Sequence, residues 1–552
     1  SNVHYVANEA VCKFYCDSAN VLDVIFRVSN RDVAFRYLIH PAGTHLSCTI
    51  TKELTQFKPA TGSTTFLCPQ AKPMGGFAGT SPSYETSYTL DDAMGKNGWG
   101  EGYTFPCLFK NQTNGWILVS ETGVDGGYCA GRLLGESDGT YCIGFPQAGE
   151  CNGNGTVSPG ISLPGKTPWR TITLGNTLAN IVETTVPFDV VERKYEPSKK
   201  YTYGKGSWSW IIGMDASCNY NDQKKYIDFS AAMGYQSVLV DALWDTQIGR
   251  DKIAELAAYG AKKGVSLYLW YNSNGYWNDA FQSPRGIMND PILRKKEMKW
   301  MQQTGIKGIK VDFFGGDKQM MMQVYEGILS DANDYGLEVI FHGCTIPRGW
   351  ERMYPNYAAS EAVLASENLH FSQDFCNREA VNACLHPFIR NTIGSMDFGG
   401  SALNKYYNAD NKHGNHRVTS DVYALATAVL FQSAVQHFAL APNNLQDAPS
   451  WAIDFMKNVP STWDEVKYID GYPGKYIILA RRHGDKWYIA GVNAEATTLK
   501  KTIDLSMLAG AKKLMIYTDD ASLNGSVKVI NGKRKLSISI PQNGGIVINT
   551  AE

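Results

Sequence analysis

The chain has 552 residues, too many for one hydrophobic core, so roughly two to four domains are expected. Lys and Arg total 52 against 53 Asp and Glu, a net charge of −1 without a long basic run. That balance carries no signature of nucleic-acid or anionic-membrane binding, and no apolar stretch reaches the ~18–20 residues of a membrane span.

The opening SNVHYV has no signal-peptide pattern, so export is neither read nor excluded from it. Twelve cysteines crowd toward the first third of the chain with no CxxC pair and no zinc spacing. Disulfides and isolated buried thiols are both open readings. Trp, Tyr and Phe reach 12 % of residues, enough for a core and for stacking on sugar faces as well.

In chain order, residues 1–203 alternate in short runs such as VLDVIFRVSN and GWILVSETGV, broken by Gly/Pro/Ser clusters, which predicts an N-terminal β-sandwich. The period changes over 204–455. Strand-like SWSWIIGMD, YQSVLVDAL, VSLYLWYNSN, IKGIKVDFFG and LEVIFHGC alternate with helical segments, several of which stop at a glycine. With SEAVLASEN, SMDFGG and VQHFAL the count reaches eight β-then-α units, the number that closes a (β/α)8 TIM barrel. Residues 456–552 return to alternation (KYIILARR, KWYIAGVN, KLMIYTD), predicting a C-terminal antiparallel β-sandwich.

Chemistry in a barrel sits at the C-terminal strand ends. Read so, Asp215 ends strand 1, Asp241 ends strand 2 with Trp244 after it, Trp270 ends strand 3, Lys310 and Asp312 end strand 4, and His342 ends strand 5. Arg348 and Arg352 follow in the next loop, and Glu361 and Glu367 come from the sixth unit. Each has a plainer reading as a cap, a core residue or a structural ion-pair partner; together on one rim they point to a polar site. Lys310 and Asp312 share a strand face, so the ammonium is expected to hold the Asp312 pKa down. A carboxylate nucleophile facing a protonatable carboxyl is the equipment of a retaining glycosidase, and Glu361 and Glu367 are the candidate partners. Asp317, after Gly-Gly, reads as the cap of the next helix.

KVDFFGGD followed by FHGCTIPRGWERMYPNYAASEAVLASENL resembles glycoside hydrolase family 97, on its retaining branch of α-galactosidases from gut Bacteroidetes. The resemblance spans the whole chain and implies a super-sandwich, a barrel and a C-terminal β-sandwich. It implies Asp312 as nucleophile, Glu367 as general acid/base, and a calcium ion held by Glu361, Glu367 and a glutamate of the N-terminal domain, matched here to Glu121. Inverting members carry a glutamate base directly after the strand-5 histidine; Gly343 stands there, which favours retention. The family usually starts with more strands than this chain offers, so leading strands outside this sequence are a further expectation, as is a periplasmic or secreted location.

The expected activity is therefore a calcium-dependent, retaining, exo-acting α-galactosidase on an oligosaccharide or glycoside. Lys310, Asp215, Asp241, Trp244, Trp270, His342 and Arg352 are expected to form the sugar pocket. The alternatives are a β-L-arabinopyranosidase, an α-glucosidase, or a non-catalytic sugar-binding protein on the same fold. No motif speaks to the oligomeric state.

Overall fold

The computed structural model describes residues 3–111 and 115–551. The N-terminal part is a twelve-stranded antiparallel sheet in which Asp32–Ile39, Trp169–Gly175, Trp116–Thr122 and Tyr103–Lys110 lie side by side. Alternate residues Phe105, Cys107 and Phe109 enter one core with Val119 and Leu133, as a period of two requires. All twelve cysteines are free thiols.

The central part is a parallel sheet curled toward a barrel. Its strands are β1 (Gly204–Trp208), β2 (Ser237–Val240), β3 (Ser266–Asn272), β4 (Gly308–Asp312), β5 (Glu338–Phe341), β6 (Tyr357–Ser360) and β7 (Val435–Phe438), adjacent in the order β6-β5-β4-β3-β2-β1-β7. The expected strand in SMDFGG is reduced to one bridge, Ser360 with Met396. Gly399 and Ser401 adopt left-handed backbone there, which ends any extended run. The segment still fills the gap: Asp397 N donates to Ser360 O at 2.9 Å and Ala439 N to Gly400 O at 2.8 Å. The helix–Gly–strand joints form for the expected reason. Helices Tyr220–Met233 and Pro291–Thr304 end at Gly234 and Gly305, both left-handed, and begin at side-chain caps from Asn219 and Asp290.

The C-terminal part is a six-stranded antiparallel sheet faced by the pair Leu499–Asp504 and Lys535–Ile540, around Ile478, Ile489, Leu514, Ile516, Ile540 and Ile548. Its other face lies on the helix Asp421–Leu430, whose DVYALATAVL is buried almost all round because sheet and barrel cover it from two sides.

A buried chain of charges joins the N-terminal sheet to the barrel loops. Arg170 pairs with Glu53 (2.6 Å) and with Glu121, and Arg348 Nε donates to Glu121 at 2.6 Å. Arg348 also reaches the Tyr84 hydroxyl (3.3 Å), which donates to Asp317 at 2.5 Å, while Arg132 pairs with Glu150 (3.0 Å) and Asp317 (3.4 Å). Asp317 is thus part of this latch and does not cap the next helix, whose first turn follows Lys318 without a side-chain cap. Removing one partner from such a chain strands the others in low dielectric, which costs about 3–5 kcal/mol.

Candidate active site

The C-terminal rim of the barrel opens into a cavity of about 530 Å³. Strand alternation sets its floor. Lys310 and Asp312 project to the same side of β4, and Trp270 of β3 stands beside them. Asp312, 8 % exposed, accepts the Trp270 indole N–H at Oδ2 (3.0 Å) and the Phe313 amide at Oδ1 (2.8 Å).

Lys310 bonds a different carboxylate from the expected one. Its Nζ donates to Asp241 Oδ2 at 2.9 Å, just past β2, and lies 4.9 Å from the Trp208 ring centre. The Asp312 carboxyl is pushed up to about 6, because burial outweighs the opposing charges of Lys310 and His342, and nearby Glu361 adds to the rise. The expected depression by Lys310 is present as one contribution and is overridden.

Glu361 follows β6. It accepts the Gly343 amide at 3.1 Å and pairs with His342 Nδ1 at 3.2 Å. The other imidazole nitrogen, Nε2, bonds Asp397 at 2.6 Å. Burial opposes charge on both partners, yet their mutual attraction wins: Glu361 falls to about 2 and His342 rises to about 10. Glu367 opens the short helix Glu367–Phe371 and is pushed up to about 8 by burial, then by the charges of Glu361 and Asp312.

Glu85 completes the group. It lies in the irregular stretch between Pro69 and Asp92 of the N-terminal part, and one oxygen each from Glu85, Glu361 and Glu367 lie within 4.8 Å of one another. Burial and its two neighbours raise Glu85 well above the carboxylate range. Three carboxyls this close suit a hard cation that prefers oxygen ligands. Glu121, matched to this place from sequence, is elsewhere: fully buried between Arg170 and Arg348, it serves the latch.

Of the expected pocket residues, Lys310, Asp241, Trp270 and Asp215 line the cavity. Asp215 sits beyond β1 in a short turn, holding the Trp210 indole N–H at 2.9 Å, and burial raises its pKa. His342 is not among the cavity-lining residues and links Asp397 to Glu361. Trp244 is not in the pocket. Leu243, in left-handed backbone, turns the chain outward, and Trp244 stacks on Trp300 with its N–H on the Trp270 carbonyl. Arg352 is exposed on the turn Trp350–Met353 and is not among the residues that line the cavity. Phe77, Gln282 and Phe371 line the cavity unforeseen; loop residues carry no periodicity from which to place them.

Gly343 decides the space beside Asp312. With φ of +45°, a Cβ there would stand 2.6 Å from Asp312 Oδ1 and 2.7 Å from the Phe313 amide nitrogen. No side chain fits.

A parallel barrel between two β-domains, with carboxyls gathered at its C-terminal rim, is the architecture of a glycoside hydrolase. The chain belongs to glycoside hydrolase family 97: the model described as Glycoside hydrolase 97 matches residues 200–363, its N-terminal companion 1–192, and the C-terminal one, described with oligomerisation, 462–550. A "Probable retaining alpha-galactosidase" of Streptomyces bingchenggensis is 27% identical over 558 residues, 97% of this chain and 78% of that protein. A "Retaining alpha-galactosidase" of Bacteroides thetaiotaomicron is 27% identical over 353 residues, covering 60% of this chain and 51% of the relative. A crystal structure described as a beta-arabinopyranosidase is 55% identical, covers 100% of this chain and 88% of its own, and superposes with a TM-score of 0.98. A family 97 enzyme from Pseudoalteromonas sp. strain K8, 21% identical with a TM-score of 0.78 over 96% of this chain and 85% of its own, shares the fold.

Proposed function

We propose that this enzyme removes terminal β-L-arabinopyranosyl groups with retention of anomeric configuration. The observation that supports retention is the contact geometry of Gly343: no side chain fits there, so position 343 offers no base to hold a water, which leaves Asp312 as the carboxylate to attack the anomeric carbon. An Asp312 oxygen attacks that carbon, the glycosidic C–O bond breaks, and Glu367 gives its proton to the leaving oxygen. In the second half-reaction Glu367 takes a proton from water, whose oxygen displaces Asp312. The surroundings suit this division, since burial and the charges of Glu361 and Asp312 favour a protonated Glu367, while Lys310 and His342 favour an ionised Asp312.

The sugar is read from the likeness at 55% identity to a structure described as a beta-arabinopyranosidase. The α-galactosidase expected from the sequence is the second reading, supported by two relatives of that description at 27% identity. The two sugars differ only by the C5 hydroxymethyl group, worth a few kcal/mol in a pocket.

A calcium ion would be held by Glu85, Glu361 and Glu367, whose crowded oxygens it would neutralise. When bound it would supply positive charge beside the reacting sugar and a ligand position for a hydroxyl. The test is turnover of p-nitrophenyl β-L-arabinopyranoside against the α-galactoside, before and after chelation. A higher kcat/KM for the arabinopyranoside, lost on chelation and restored by calcium, is expected. Preference for the galactoside selects the second reading, and failure to cleave either refutes both. Activity untouched by chelation, with calcium verified absent, refutes the metal.

A further inference from the structure

Two phenylalanines stand where a core-forming residue type is least expected. Phe77 is 56% exposed and Phe371 55% exposed, yet both line the same cavity as Asp312 and Glu367. They come from different parts of the chain, Phe77 from the N-terminal loop that also brings Glu85, and Phe371 from the helix that Glu367 opens.

Each ring is tied to one of the reacting carboxyls. Phe371 is four residues after Glu367 on a helix, so the two side chains project from the same face. Phe77 packs at 6.1 Å between ring centres on Phe313, the residue after Asp312, and Phe313 packs at 5.6 Å on Trp270. Phe371 in turn rests edge-on against Trp210 at 6.2 Å. Each ring is thus packed on a neighbour and still more than half exposed at the cavity.

A sugar whose anomeric carbon meets Asp312 must send its leaving group past Glu367 toward solvent. We propose that Phe77 and Phe371 form a leaving-group subsite there, for a group with a flat apolar face: an aryl ring or the C–H face of a second pyranose. This rests on the assignment of Asp312 and Glu367 above. The subsite selects what is attached to the cleaved sugar, not the sugar itself, and it joins the N-terminal part to the barrel in substrate recognition.

The test compares kcat/KM for the methyl, benzyl and disaccharide glycosides of the preferred sugar, in wild type, Phe77→Ala and Phe371→Ala. Methanol and benzyl alcohol are leaving groups of similar acidity, so the benzyl-to-methyl ratio reports contacts to the ring. Wild type should favour benzyl, and each alanine variant should lower that ratio about three- to tenfold. Phe77→Tyr and Phe371→Tyr, which keep the ring, should preserve it, separating ring contact from local misfolding. A fall in the disaccharide-to-methyl ratio alone assigns the subsite to a pyranose, a fall in the benzyl ratio alone to an aryl group. Cleavage with both ratios unchanged in both alanine variants overturns the subsite by itself. A wild-type enzyme that cleaves none of the three overturns the Asp312–Glu367 assignment, and the subsite falls with it.

Discussion

Burial raises the pKa of both Asp312 and Glu367, and their neighbours push Glu367 further up. For Asp312, Lys310 and His342 are the largest influences after burial and oppose the rise, which Glu361 adds to; for Glu367, Glu361 and Asp312 come next after burial and add to the rise, ahead of the same two cations. The sign of the pH dependence follows. On the proposed roles Asp312 must be ionised, so kcat/KM should climb as pH rises through about 6; Glu367 must be protonated, so it should fall again on the alkaline side. A cation among Glu85, Glu361 and Glu367 favours the carboxylate form, so with calcium bound the alkaline limb should lie below about 8. A pH–rate profile without an acid limb would contradict the role of Asp312. Asp312→Ala should lose about a thousandfold or more in kcat if, as proposed, the group acts by bonding to the sugar. Added azide should restore turnover with the inverted glycosyl azide as product; wild-type-like hydrolysis by the variant would contradict the assignment.

Among the elements, β4 with the turn after β5 is the structural unit of the site. Gly343 must be left-handed and bare for the β5 turn to pass Asp312, and its amide holds Glu361. Gly343→Ala places a methyl within 2.6 Å of Asp312 Oδ1. Displacing the nucleophile this way should lower kcat about a hundredfold while circular dichroism still shows a folded barrel. Undiminished kcat in that variant would mean that the turn has room which the geometry denies. This unit was legible in the sequence, because period-two alternation fixes the face of Lys310, Asp312 and Trp270, and glycine stops mark the strand starts. What strand position could not give was direction after a strand ends. Trp244 leaves the pocket because Leu243 turns left-handed, and Asp317 is claimed by Tyr84 and Arg132 instead of by a helix. Glu85 was not legible at all, since SPSYETSY has neither helical nor strand period and reads as a solvated loop.

For the whole molecule, the latch explains how an N-terminal loop can serve a barrel site. Tyr84 precedes Glu85 and donates to Asp317, five residues after Asp312, while accepting from Arg348. Glu121, paired with Arg170 and Arg348, holds Arg348 in place for that bond. Tyr84→Phe leaves Asp317 without its hydroxyl partner in a buried setting, which should cost about 1–3 kcal/mol of stability. It should also weaken calcium affinity, read by titration calorimetry, because Glu85 loses its anchor. An unchanged calcium affinity would separate the latch from the site. The sequence reads as three domains, but a contact spanning more than two hundred residues leaves no local pattern to read.

The central claim is that Asp312 bonds to the sugar, and the stereochemistry of the first-formed product tests it most directly. NMR at the earliest times of hydrolysis should show arabinopyranose appearing as the β anomer, the configuration of the substrate, before mutarotation mixes the two. First appearance of the α anomer would contradict the account.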